Sequence, residues 1–271
     1  MNKMFNKESG KCINIALDHG VFGTRSFSNG LENLAVVIPE MISGKPDAIQ
    51  LNPGGLKIFN SLKLKTEVKI VLRLDVTNAY DPRKVDQPWD TANVATLRDA
   101  LDERVACVVL NLLNVDENSR LLEQCVENIQ IIGAKCREEG IPLMVEPLVM
   151  TAKNGAGPSS LGDVDKIAGL VRQAVELGAD VIKVDPTIPM EDFNQVVEIA
   201  SGVPVLVRGG GQVTPQVLLE RTRVAMDSGA AGVVYGRNVI QHPTPSLFIK
   251  SIGAIVHENA SVEKAMQMLE R

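Results

Sequence analysis

The sequence predicts an α/β protein folded as a single (β/α)8, or TIM, barrel, and three observations carry that prediction. Short apolar runs rich in β-branched residues alternate with longer amphipathic stretches, the pattern of βα units in a parallel sheet. Eight such runs recur along the 271 residues. No composition break or Ser/Pro-rich linker divides them, so one barrel spanning 1–271, with an extra C-terminal helix, accommodates the chain better than a doubly wound sheet. An open sheet stays as the alternative, because periodicity does not reveal strand order.

In chain order the strand candidates are "CINIALD", "DAIQLN", "VKIVLRLDV", "VACVVLNLL", "IPLMVEPLV", "ADVIKVD", "VPVLVRGGG" and "AAGVVYGRN". Each is short and apolar, and most end on a polar or glycine residue. Helical spacing marks "GLENLAVVIPEMIS", a short "GGLKIFNSL", "DTANVATLRDALD" and the long "NSRLLEQCVENIQIIGAKCREEG". It continues in "LGDVDKIAGLVRQAVELG", "MEDFNQVVEIASG" and "TPQVLLERTRVAMDSG", and "TPSLFIKSIGAIVHENASVEKAMQML" supplies an eighth helix and a terminal one. Thr214 before Pro215 reads as an N-cap and first helical position. Gly140, Gly178 and Gly229 follow amphipathic stretches as C-terminal glycines.

Hydrophobic residues make up 45% and charged residues 23%, and the formal net charge is -5. That balance suits a globular protein and offers no electrostatic reason to expect nucleic acid or an acidic membrane as partner. A local basic pocket for a small anion remains compatible with it. Cys12, Cys107, Cys125 and Cys136 lack the CxxC spacing of a zinc or redox site and read as free structural thiols. No metal or other cofactor is expected. The start "MNKMFNKESGK" is polar, without the apolar core of a leader, and no window approaches about 18 uninterrupted apolar residues. A cytoplasmic enzyme or binding protein is expected, self-associating as barrels of this kind commonly do.

A barrel places its chemistry where strands end and βα loops begin. Those ends carry Asp18 and His19, Asn52, Arg73 and Asp75, Asn111, Glu146, Lys183, Arg208, and Gly236 with Arg237. Singly, each has a structural explanation, since a strand-end acid caps a turn and a long basic side chain reaches solvent. Together on one rim, Asp18, Glu146 and Lys183 suggest catalysis. Lys183 sits inside an apolar run, where desolvation disfavours the ammonium form and leaves a nucleophilic amine. Such an amine attacks a carbonyl and, through a carbinolamine, forms a Schiff base that stabilises the carbanion left when the adjacent carbon–carbon bond breaks. Glu146 on the preceding strand is the natural proton shuttle, and Asp18 orients or deprotonates the substrate hydroxyl. His19 is the competing base, or equally a turn contact beside Gly20 in "LDHG".

Anion binding is the other half of the predicted site. "VRGGGQVTP" joins a strand to a helix through Gly209, Gly210 and Gly211, which lets backbone N–H groups approach a phosphate. "YGRN" adds Gly236 and the fork-shaped guanidinium of Arg237. These motifs follow the seventh and eighth strands, where barrels frequently bind phosphate. "LNPGGL" reads as a tight turn, and "TAKNGAGPSSLGD" as a mobile loop over the mouth whose Lys153 is a solvated surface residue.

The motifs "ALDHG", "EPL", "ADVIKVDP", "VRGGG" and "GRNVIQHPTP" resemble those of metal-independent class I aldolases, the DeoC/LacD-type family that includes the archaeal fructose-bisphosphate aldolases. The resemblance runs from Asp18 to "AIVHENASVEKAM". It implies a barrel that cleaves or forms a phosphorylated ketose, giving dihydroxyacetone phosphate and an aldehyde. Lys183 would be the Schiff-base residue, Asp18 the aspartate handling the substrate hydroxyl, and Gly210, Gly211, Gly236 and Arg237 part of the phosphate cradle. Two departures bear on the substrate. Glu146 stands where the archaeal enzymes carry an aromatic acid–base residue, as in tagatose-bisphosphate and sulfofructose-phosphate aldolases, and Arg208 precedes the glycines. Arg208 either pairs with a second anionic group, phosphate or sulfonate, or makes a salt bridge to a neighbouring strand-end acid. Acyl or ketol transfer of the thiolase or transaldolase kind is the alternative reaction, and a non-catalytic sugar-phosphate sensor is the alternative class.

Overall fold

Eight parallel strands close on themselves in the computed structural model, which describes residues 3–80, 90–101, 104–115, 119–152 and 158–270. The strands are β1 (Cys12–Ala16), β2 (Ala48–Leu51), β3 (Lys69–Arg73), β4 (Val105–Val115), β5 (Leu143–Ala152), β6 (Val181–Val184), β7 (Val205–Arg208) and β8 (Gly232–Tyr235). Each pairs with its neighbours in sequence. β8 returns to β1 with Cys12 opposite Gly232 and Ile15 opposite Tyr235, which closes the barrel and excludes the open sheet.

Strand alternation sorts the side chains into two layers. Ile13, Ile15, Leu72, Val145, Ile182, Val207 and Tyr235 face outward into the layer shared with the helices. Cys12, Ala16, Ala48, Val71, Val109, Met144, Val181 and Val234 face the lumen, where Met4 and Phe5 from the N-terminal segment join them. The outer layer is anchored by large buried rings such as Phe59 and Phe193. Each contributes about 1.5–3 kcal/mol of apolar burial. The same alternation turns Lys183, two residues beyond Val181, and Glu146, two beyond Met144, into the lumen near its C-terminal mouth.

The helices α1 (Leu34–Ser43), α2 (Pro53–Leu62), α3 (Ser119–Glu139), α4 (Val164–Glu176), α5 (Phe193–Ile199), α6 (Pro215–Asp227), α7 (Arg237–Ile240), α8 (Pro245–Glu258) and α9 (Val262–Leu269) follow the strands, α8 and α9 being the eighth and terminal helices. Thr214 Oγ1 accepts from Val217 N at the start of α6, as the Thr-Pro pair predicts. Asn52 Oδ1 accepts from Gly55 N at 2.8 Å, so this strand-end residue caps α2. Gly140, Gly178 and Gly229 adopt φ values of 65°, 89° and 89° behind α3, α4 and α6.

Two expectations are corrected. "DTANVATLRDALD" is not an α-helix. Thr91–Asn93 forms an antiparallel ribbon with Asp75–Thr77, and Leu97–Leu101 makes a 3-10 turn. The ribbon strand opens on Thr91, whose hydroxyl donates to Val76 O at 3.0 Å, and the turn is capped by Asp99 on Thr96. The third apolar run is accordingly broken at Leu74, whose carbonyl accepts from Val94 N instead of continuing the barrel ladder. After the fifth strand the chain forms a further pairing, Met150–Ala152 with Pro158–Ser160, and Lys153 lies outside the described residues. Among the described residues no helix is long and apolar enough to cross a membrane.

Candidate active site

Lys183 is 5% exposed and its Nζ lies 2.9 Å from Glu146 Oε2. The strands β5 and β6 are adjacent, and β4, next to β5, carries Asn111 opposite Glu146. A second cation organises the cluster. Arg73, 2% exposed, donates from Nε to Asp18 Oδ2 at 2.9 Å, from one terminal nitrogen to Asp75 Oδ1 at 3.1 Å, and from the other to Glu146 Oε2. One guanidinium therefore ties β1, the ribbon that follows β3, and β5. Its fork geometry fixes the carboxylates as a point charge on a flexible stem could not.

Gln50 connects the remaining pair. Its Nε2 donates to Asp18 Oδ2 at 2.6 Å, and its Oε1 lies 3.5 Å from Lys183 Nζ, at the limit of hydrogen bonding. Asn14 Nδ2 approaches the same oxygen at 3.5 Å. Asp75 also accepts from Asn111 N at 2.7 Å and from Asn111 Nδ2 at 3.1 Å.

These contacts set the ionisation states. Burial alone would raise the Glu146 carboxyl, but Lys183, Arg73 and Arg208 outweigh it and bring the pKa down to about 2. Burial is likewise overcome at Asp18, which Arg73 and the neighbouring cations hold well below the usual carboxylate range. Both groups are carboxylates at neutral pH. At Asp75 burial wins over Arg73, and its pKa is raised. Lys183 moves downward: burial disfavours its ammonium form, Glu146 opposes that, and Arg73 reinforces it.

A pocket at the strand ends collects Asp18, His19, Arg73, Asn111, Glu146, Lys183 and Arg208 with Gly209, Gly210, Gly236, Arg237 and Asn238. Of the predicted cradle, Gly210, Gly236 and Arg237 line it, whereas Gly211 does not and is exposed, with its carbonyl accepting from Asn238 Nδ2. Asn238 also accepts from Val213 N at 2.9 Å, so "GRN" fastens the glycine turn after β7. An added Cβ at Gly236 would lie 2.6 Å from the His19 ring, so a side chain there requires that ring to shift. His19 Nδ1 stands 3.7 Å from Asp18 Oδ1, too far for a hydrogen bond. Arg208 Nε lies 3.2 Å from Asp185 Oδ1 and its NH1 3.7 Å from Glu146 Oε1, which is the salt bridge to a strand-end acid.

Several residues in or beside the pocket escape sequence reasoning. Gln50 had a signal: it shares lumen parity with the strand-end polar groups, two residues before Asn52. Phe22, Phe27 and Tyr80 form an aromatic wall with ring centroids 4.8–6.0 Å apart, and Arg237 stacks on Phe27 at 5.0 Å. They lie in loops, where no periodicity announces them. The four cysteines are free and buried, and burial pushes Cys125 and Cys136 up to about 12 and about 11, keeping them as thiols.

The closed (β/α)8 barrel carries this lysine and carboxylate cluster at its mouth, and its likeness to known proteins identifies it as an aldolase, a carbon–carbon lyase. The profile described as DeoC/LacD family aldolase matches residues 12–242, and the chain belongs to that family. It is 33% identical over its whole length to "Uncharacterized aldolase SSO3226" of Saccharolobus solfataricus, covering 97% of that protein. It is 29% identical, over 94% of this chain and 90% of the other, to the 2-amino-3,7-dideoxy-D-threo-hept-6-ulosonate synthase of Halobacterium salinarum. Among solved structures, a Schiff-base-forming fructose-1,6-bisphosphate aldolase shares the fold with a TM-score of 0.74 at 20% identity, over 93% of this chain and 96% of that one.

Proposed function

We propose that the protein is a class I aldolase that cleaves or forms a phosphorylated ketose through a Schiff base on Lys183. The observation that carries this reading is the buried Lys183 Nζ 2.9 Å from Glu146 Oε2, a carboxyl whose pKa its cationic neighbours hold low. A lysine so placed can pass a proton to Glu146 and attack as the neutral amine.

The remaining steps follow from the groups in the pocket. Nζ adds to the substrate carbonyl carbon, the carbonyl oxygen takes from Glu146 the proton that the lysine had passed to it, and the adduct nitrogen then releases a second proton to Glu146. Glu146 returns that proton to the carbinolamine hydroxyl, which leaves as water and generates the iminium. Asp18 accepts the proton of the hydroxyl two carbons away. The bond between the intervening carbon and the hydroxyl-bearing carbon breaks, the aldehyde departs, and the electron pair enters the iminium as an enamine. Protonation of the enamine and hydrolysis release dihydroxyacetone phosphate and restore the lysine. Gly210, Gly236 and Arg237 hold the phosphate, and Gly211 shapes the turn that presents it.

Release of dihydroxyacetone phosphate from ketose phosphates, followed by a coupled dehydrogenase, tests the reading. Lys183→Ala is expected to lose at least about 10³-fold in kcat, the scale for removing a catalytic nucleophile. A fully active variant contradicts it. The Halobacterium relative is named a synthase, which favours a second reading, transfer of a carbon fragment from the same lysine to an acceptor aldehyde. Product that forms only when the acceptor is present would select it.

A further inference from the structure

We propose that the substrate of this pocket carries one anionic group, bound at Arg237, and that Arg208 is an internal positioning residue for Glu146 rather than a second anion site; this rests on the aldolase reading above. The argument begins with a count of charge. Among the described residues, four carboxylates are buried at the strand ends: Asp18, Asp75, Glu146 and Asp185, each no more than 3% exposed. Facing them are three cations, Arg73, Lys183 and Arg208. Even with Lys183 charged, the cluster has no positive surplus for an incoming dianion. With the amine neutral, as attack requires, it is one charge more negative.

Arg208 is committed within this cluster. Its Nε faces Asp185 at 3.2 Å and its NH1 faces Glu146 at 3.7 Å. Two of its nitrogens are thus directed at buried carboxylates of the protein. Asp185 does not line the pocket and stands behind Arg208 as its counter-ion. A second phosphate at Arg208 would have to draw it from Asp185, leaving that carboxylate buried without a cation, an arrangement that proteins rarely tolerate.

Arg237 differs in kind. It lines the same pocket, stacks on Phe27 at 5.0 Å, and among the described residues has no carboxylate within 4.0 Å. Arg208 on the neighbouring strand end disfavours its charge, as burial does, so an anion seated there relieves both penalties. One free guanidinium beside a glycine turn matches one phosphate or sulfonate.

Inorganic phosphate, titrated calorimetrically into the full chain, counts the sites without requiring turnover or an adduct. One phosphate per chain is expected, weakened about tenfold or more in Arg237→Gln and changed less than about threefold in Arg208→Gln. Two phosphates per chain in the unaltered protein, loss of the phosphate in Arg208→Gln, or no binding at about 10 mM phosphate would each overturn the proposal. The positioning role has its own readout: Arg208→Gln moves the Glu146 carboxyl upward in a carbon-13 pH titration, and an unmoved carboxyl overturns it. The aldolase reading fails separately, by the absence of any covalent adduct at Lys183.

Discussion

Glu146 Oε2 lies 2.9 Å from Lys183 Nζ and also accepts from Arg73, so one carboxylate oxygen is shared by a lysine and an arginine. Arg73 stays paired with the acid whether Lys183 is charged or neutral. The lysine can therefore lose its proton without leaving a lone buried anion, which is the condition for a nucleophile that must deprotonate at every turnover.

The first prediction concerns the pH dependence of Lys183. Its pKa is lowered from 10.5 by burial, against the opposing pull of Glu146. The rate of adduct formation with a carbonyl compound should rise with pH and reach its plateau below the ordinary lysine range. Glu146→Gln removes a charge that raises the lysine pKa, so the rising limb should move to lower pH by about one unit or more. Rates of borohydride-trapped adduct across pH measure this, and a limb displaced to higher pH would contradict the assignment.

Stability toward acid is the second. The Glu146 carboxyl is held at about 2 in the folded chain, below its reference value of 4.5. A group whose folded pKa is depressed contributes stability that is present above the unfolded value and lost as pH falls through the folded one. That contribution is about 3 kcal/mol in order of magnitude, shed between about pH 4.5 and 2. Urea unfolding should show the loss in the unaltered protein and a flatter acid profile in Glu146→Gln, whose stability is lower at neutral pH.

Gly236 gives the third. An added Cβ would stand 2.6 Å from the His19 ring, between the first and eighth strand ends. Gly236→Ala is expected to cost about 1–3 kcal/mol, the range for overpacking, and to weaken phosphate binding. Thermal unfolding together with a phosphate titration checks both, and a neutral substitution would show that the ring moves freely.

Phe27 gives the fourth. Its ring supports Arg237 through a cation–π contact at 5.0 Å. Phe27→Leu should raise KM for a phosphorylated substrate about two- to fivefold with kcat little changed, matching a loss of about 0.5–1 kcal/mol. A fall in kcat at constant KM would place the aromatic wall nearer the reacting carbons than the phosphate.

The barrel was legible because its information is periodic and local. Eight β-branched runs, and glycines such as Gly178 and Gly229 at helix ends, specify elements that tertiary packing then assembles. That Lys183, Glu146 and Asp18 meet at one mouth was legible for a related reason, since strand alternation turns polar residues at these positions into the lumen. Arg73 stood out as a strand-end cation, but its three partners depend on β1, the ribbon and β5 meeting across the barrel, which no single stretch encodes. The break at Leu74 was hidden for the same reason: "VKIVLRLDV" reads as one strand, and the pairing with Thr91–Asn93 that bends it comes from a distant segment. Tyr80, Phe22 and Phe27 owe their positions to loops, where side-chain direction follows from the whole fold.

The most direct test is borohydride trapping with a panel of ketose monophosphates, bisphosphates and sulfonated analogues, followed by peptide mass mapping. A ligand-dependent covalent mass on Lys183, absent in Lys183→Ala, is the predicted result. Cleavage of a ketose phosphate that proceeds with no trapped adduct at Lys183, or with the adduct on another lysine, would contradict the mechanism.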